Sequence, residues 1–211
     1  SDFIELVRSE KVDSLSWEAD NSGLEVYVNS HDFSEGKKYY RYSFEETFEY
    51  SAPYYSIYIY EHGDVSFRWE DINHCWFTQP SNSILVATTE HLSQNIISQF
   101  LVQKITRGDR RLWLKYSLLL HQFPLNQQAY DYWFQLKKVT ESLGGLFDPI
   151  PYQLKGNVSS DNDPSEIVLG YFYGGAVASK RVVIHNRELP SNYTFARVTD
   201  CKEDSVLLKD L

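Results

Sequence analysis

Glu46 is the residue whose setting could support acid–base chemistry. It lies within Tyr39–Tyr50, where Tyr40, Tyr42, Phe44, Phe48 and Tyr50 recur at every second position and would share one face of a strand. A carboxyl buried among rings without a partner costs several kcal/mol and has its pKa raised. Such a group suits general-acid hydrolysis of a glycan or a peptide. Glycosidases need a second acid across a cleft, however, and Glu45 and Glu49 lie too far round the strand to serve. The competing reading makes Glu46 a structural buried acid, paired with Arg41, Arg68 or Arg110 or bonded by a tyrosine hydroxyl.

A second constellation is aromatic. Tyr54, Tyr55, Tyr58, Tyr60, Trp69 and Trp76 could form a stacking platform for sugar or peptide, because rings give large rigid contact area at low entropy cost. The same rings could equally fill and cover a sheet. Tyr54, Tyr55, Trp69 and Trp76 are the candidate binding residues, with Tyr54–Tyr55 exposed in a turn beside Pro53.

Metal and cofactor chemistry is poorly represented. The six histidines (His31, His62, His74, His91, His121, His185) include no pair at the spacing of a metal-binding helix. His31 with Asp32, or His74 with Cys75, comes nearest. Asp161–Glu166 has the acidity of a calcium loop without its central glycine or closing glutamate, so turn chemistry explains it. No Gly-x-Ser-x-Gly elbow or phosphate-cradling loop occurs. Neither a metal nor a cofactor is expected. Cys75 and Cys201 cannot close a structural zinc site alone, and spacing does not say whether they pair.

The net charge of −9 argues against nucleic acid, which needs clustered Lys and Arg. Only Arg107, Arg110 and Arg111 come close together, flanking a turn at Gly108–Asp109. No apolar run reaches the length of a membrane span, since Leu112–Leu120 carries Lys115 in its middle. Ser1–Asp2–Phe3 lacks the basic start of a signal peptide. With no methionine at all, the chain reads as the mature or interior part of a longer product.

The elements that must position these residues are mostly strands. Short strands are expected at 15–20, 24–30, 75–77, 83–88 and 97–106, around the long one at 39–50. A hairpin over 55–61 and 65–70 would turn through three residues, His62–Gly63–Asp64, with Val65, Phe67 and Trp69 facing inward. Arg110–Phe123 reads as a second long strand, its Leu112, Leu114, Tyr116, Leu118 and Leu120 toward the core. One helix spans about 126–143: Asn126 caps it, Leu125 and Tyr130 form a staple, Ala129, Trp133, Leu136, Thr140 and Leu143 make the apolar stripe, and Gly144–Gly145 ends it. Strands resume at 152–158, 167–173 and 176–185, the last two joined by a tight Gly174–Gly175 turn.

The fold class is therefore mainly β: an antiparallel β-sandwich or partly closed β-barrel with one amphipathic helix, a lipocalin-like barrel being the alternative. Residues 1–13 read as a lead-in or linker, 14–200 as a single β-rich domain, and 201–211 as a tail.

The run Tyr39–Glu49, followed by Cys75–Thr78, Ala129–Trp133 with Thr140–Pro149, and Gly156–Val158 with Asn162–Glu166 and Gly170–Phe172, resembles an uncharacterised lipoprotein family of Bacteroidota classed as a domain of unknown function. The likeness covers roughly Ser14 to Cys201. Members usually begin with a lipidated cysteine and an immunoglobulin-like domain, so the likeness is to the larger, carboxy-terminal portion. They are often encoded beside TonB-dependent outer-membrane transporters, and the family has no established catalytic residues. The resemblance implies a non-catalytic outer-membrane lipoprotein domain of the cell envelope. It would assist a TonB-dependent transporter by binding a glycan, a peptide or a protein partner, and would touch membrane only through a lipid anchor outside this chain. The alternatives are a hydrolase using Glu46 and a purely structural module.

Overall fold

The computed structural model describes residues 6–7, 11–52, 54–142, 154, 156–163, 165–166, 168–193 and 195. Twelve strands run in chain order: β1 (Leu6–Val7), β2 (Ser14–Ala19), β3 (Gly23–His31), β4 (Tyr39–Ser51), β5 (Tyr58–Glu61), β6 (Asp64–Phe67), β7 (His74–Pro80), β8 (Leu85–Thr88), β9 (Ile96–Thr106), β10 (Lys115–Leu125), β11 (Gly174–Gly175) and β12 (Ala178–His185). The one α-helix among the described residues, α1 (Gln127–Ser142), follows β10.

Two antiparallel sheets enclose the core. One is ordered β12–β10–β4–β7, with β8 also on β4; the other is β2–β3–β9. On β4 the period-two pattern decides everything. Tyr40, Tyr42, Phe44, Glu46 and Phe48 point into the sandwich, and the residues between them face outward. They meet Leu24, Val26 and Val28 of β3, Ile105 of β9 and Tyr116, Leu118 and Leu120 of β10 in one cluster. Burying each large apolar side chain stabilises by roughly 1.5–3 kcal/mol. Among the described residues the sheets keep free edges and no barrel closes, so the lipocalin-like alternative does not apply.

Helix α1 covers the outer face of β4, β8 and β10. Asn126 caps it, its Oδ1 accepting from the Ala129 N–H at 2.8 Å. Tyr130 lies against Tyr39 with ring centroids 5.1 Å apart. The Arg41 guanidinium sits between Phe123 (4.4 Å) and Trp133 (4.5 Å), a cation–π clamp holding the helix to the sheet. The expected glycine stop at Gly144–Gly145 lies outside the described residues.

Several local expectations need correction. Arg110–Leu112 is a 3-10 turn, and the strand starts at Lys115. Asp109 explains this: its carboxylate accepts the Arg111 N–H at 2.9 Å, and such a local bond competes with extended backbone. The hairpin loop has two residues, because His62 (φ 55°) and Gly63 (φ 89°) both adopt the left-handed conformation of a type I′ turn and Glu61 pairs with Asp64. Val65, Phe67 and Trp69 do not face inward: β5 and β6 form a sheet of their own with no layer opposite among the described residues, and all three residues are exposed.

Finally, residues 168–173 form no strand, and Gly174–Gly175 is not a turn but pairs in parallel with Leu6–Val7. The amide of Asn157 takes a neighbouring strand's place. It donates to the Phe172 carbonyl at 2.6 Å and accepts from the Phe172 N–H at 2.7 Å. Gly156 permits this approach, since a Cβ there would lie 1.4 Å from the Gly170 carbonyl oxygen. Residues 154 and 156–158, where another strand was expected, are likewise irregular, and 152–153 lie outside the described set.

Candidate functional site

Glu46 enters the core from β4 at a position paired with Leu118 of β10 and Gln79 of β7. It is 3 % exposed, and its partner is neither Arg41, Arg68 nor Arg110. Arg111 Nη1 reaches both carboxylate oxygens at 3.0 Å. The Tyr116 hydroxyl donates to Oε1 at 2.6 Å, Gln103 Nε2 donates to Oε1 at 2.6 Å and Gln79 Nε2 donates to Oε2 at 2.9 Å. Arg111 is held in turn by Asp109, through Nε at 3.1 Å and Nη2 at 2.8 Å. One cation thus bridges two carboxylates within a closed polar network.

Burial pushes the Glu46 carboxyl upward, but hydrogen bonds from Tyr116, Gln103 and Gln79 and the charge of Arg111 outweigh it, leaving the group below its ordinary range. Burial likewise raises the Tyr116 hydroxyl, strengthened by the adjacent Glu46 charge. A general acid must hold a proton at working pH. Glu46 is instead held ionised, with both carboxylate oxygens hydrogen-bonded. Of its partners, the tyrosine hydroxyl was foreseeable from composition. Arg111 was not, because only the turn at Arg110–Leu112 points its side chain inward.

The aromatic candidates have the opposite fate. Tyr54 is 54 % exposed, Tyr55 64 %, Trp69 93 % and Trp76 54 %. They stand on three different supports: Tyr54 and Tyr55 follow the end of β4, Trp69 follows β6, and Trp76 lies on β7 opposite Glu49. Among the described residues none of the four rings stacks on another. Tyr58 and Phe67 do pair, at 5.1 Å across the hairpin, and Lys115 Nζ lies 5.0 Å from the Trp76 ring while pairing with Glu49 at 3.4 Å. The exposed carboxylates Glu61, Asp64, Glu70 and Asp71 fringe this surface.

Among the described residues no three His, Cys, Asp or Glu side chains converge as metal ligands, and no helix is long and apolar enough to cross a membrane. His31 bonds Asp13 at 2.5 Å and His74 bonds Asp71 at 2.7 Å. The second pair raises His74 and lowers Asp71 from their ordinary values, in both cases chiefly through their mutual hydrogen bond. Asp163 bonds the Ser165 N–H at 2.9 Å, which is turn chemistry. Cys75 carries a free thiol, and Cys201 lies outside the described residues.

Taken together these features define an antiparallel β-sandwich braced by a buried ion network, with an aromatic-rich hairpin on its surface. The chain belongs to the family described as Domain of unknown function (DUF4249), whose model matches residues 1–181. No curated protein and no solved structure matches it.

Proposed function

We propose that this chain is a non-catalytic binding domain of the outer membrane, lipid-anchored in its full-length form, that assists a TonB-dependent transporter by holding a glycan, a peptide or a protein partner. The observation that carries the reading is the exposure of Tyr54, Tyr55, Trp69 and Trp76 along one short stretch of chain. Rings so exposed, around a small surface hairpin, stabilise the fold little, and surfaces of this kind mark interaction sites. The flanking carboxylates can accept hydrogen bonds from sugar hydroxyls or peptide amines while the rings stack. The envelope setting is supported by the motif resemblance, to a family whose members are often encoded beside such transporters.

Affinity capture from gently solubilised outer membrane tests this. Wild-type protein is expected to recover a TonB-dependent transporter, and Tyr55→Ser/Trp69→Ala to recover much less, because exposed aromatic anchors dominate such interfaces. Equal recovery by both proteins, or no membrane partner for either, overturns the reading.

A further inference from the structure

A hollow of about 310 Å³ opens beside the buried network, walled by Phe48, Tyr50, Phe77 and Trp113 with Ser51 and Arg110 at its polar margin. Three elements build it: the end of β4, the edge strand β7 and the 3-10 turn before β10. Its rings are mutually braced, Phe48 lying 5.5 Å from Phe77 and 6.2 Å from Tyr50. Trp113 is fixed at its backbone, where its carbonyl accepts from Asn186 Nδ2 at 2.7 Å. Phe77 nevertheless remains 48 % exposed, so the hollow has an apolar wall open to solvent.

The two adjacent arginines divide their labour. Arg111 is consumed by Glu46 and Asp109, whereas the Arg110 guanidinium forms no hydrogen bond or ion pair with any described residue, its backbone carbonyl alone accepting from the Trp113 N–H at 3.1 Å. Because Asp109 and Arg111 lock the turn, Arg110 is carried to the hollow on a rigid base. A guanidinium with open donors matches a planar carboxylate, and an aromatic-lined hollow takes a flat ring. Benzene fills a cavity of about 150 Å³, so the volume here suits a ring with a short chain. We infer that this hollow binds an aryl carboxylate, the ring between Phe48, Phe77 and Trp113 and the carboxylate on Arg110. The chemistry is shared by a free aryl acid and by an aromatic residue at the carboxyl end of a peptide. The site stands independently of the hairpin surface and needs no membrane partner.

Calorimetric titration of the purified chain with hydrocinnamate and with its neutral amide tests the assignment. Hydrocinnamate is expected to bind saturably, and Arg110→Gln to weaken it about tenfold, as loss of a charge-assisted bond implies. Binding of the amide should be unchanged by that substitution, and the thermal melt also, since Arg110 is exposed and its guanidinium has no hydrogen-bond or ion-pair partner among the described residues. Acetylated glycyl-phenylalanine distinguishes the sources: tighter binding than hydrocinnamate assigns the site to peptide termini, weaker binding to free acids, and either supports it. No saturable binding of either acid up to about 5 mM, the weak end for ligands of this size, overturns the inference. So does an Arg110→Gln protein that binds hydrocinnamate as wild type does.

Discussion

Strand β4 and the stretch from Tyr54 to Phe77 are both rich in aromatic residues, and the fold treats them oppositely. In β4, Tyr40, Tyr42, Phe44 and Phe48 are at most 5 % exposed, whereas Tyr54, Tyr55, Phe67 and Trp69 range from 54 % to 93 %. Composition and alternation do not separate the two regions. A facing layer does: β4 has β3 and β9 opposite its inner face, while among the described residues the β5–β6 hairpin has no sheet over it. Aromatic rings contribute most to stability where a second layer removes them from water. The rings left outside are free for recognition.

The largest effect that tests this contrast is expected at Phe44. Phe44→Ala removes a ring 3 % exposed and should cost about 3–5 kcal/mol, from lost burial plus the cavity left behind. Urea unfolding followed by fluorescence measures it. A cost below about 1 kcal/mol would mean that the sandwich interior tolerates loss of a ring as readily as its surface does, which dense core packing forbids.

Arg111→Ala comes next. It strands Glu46 as a buried charge, while the Arg111 side chain itself keeps 21 % exposure. The expected loss is roughly 3 kcal/mol, the low end for breaking a buried pair. Glu46→Gln should cost less, because Arg111 retains Asp109 and the amide keeps the Tyr116 bond. A Glu46→Gln protein less stable than Arg111→Ala would reverse the roles assigned to the two groups.

The same network sets an acid limit. Glu46 and Asp109 both titrate below their ordinary values of 4.5 and 3.8 in the fold, burial opposing the shift and hydrogen bonds with Arg111's charge outweighing it. Groups depressed in the folded state stabilise it fully above those ordinary values, and that stability is lost as pH falls through the lower, folded ones. For Glu46 each unit of depression corresponds to about 1.4 kcal/mol. The urea midpoint is therefore expected to hold steady from neutral pH down to about 5 and then fall, more shallowly in Glu46→Gln. A wild-type profile flat to about pH 3 would show that the network does not carry the linkage.

Much of β4 and α1 was legible without coordinates. Period-two alternation identifies the inner face of β4, and Asn126 with Leu125 and Tyr130 marks the helix start, because these signals are local. The Arg111–Glu46 pair was not legible. Its partners are 65 residues apart and meet only because Asp109 turns the backbone before β10. The exposed face of β6 was equally hidden, since alternation is symmetric until a facing layer breaks the symmetry. Residues 168–173 misled for another reason: the Asn157 side chain supplies the bonds of a strand neighbour, and no hydrophobic period reports a side-chain amide. The candidate rings were thus identifiable by type, but their exposure depended on packing that lies far away in sequence.

The smallest stability effect should fall on Trp69, and its smallness is the informative part. Trp69 is 93 % exposed, so truncation removes almost no buried area. Trp69→Ala is expected to change unfolding stability by no more than about 0.5 kcal/mol, the range for surface substitutions. Phe44→Ala should exceed it several-fold, although both substitutions delete an aromatic ring from a β-rich stretch. A loss above about 2 kcal/mol at Trp69 would require the ring to be buried in solution. The hairpin would then be part of the core, and the division between a stabilising aromatic region and a recognising one would fail. With stability unchanged, any loss of partner recovery in the double variant that includes this substitution reports on contact at the surface and not on unfolding.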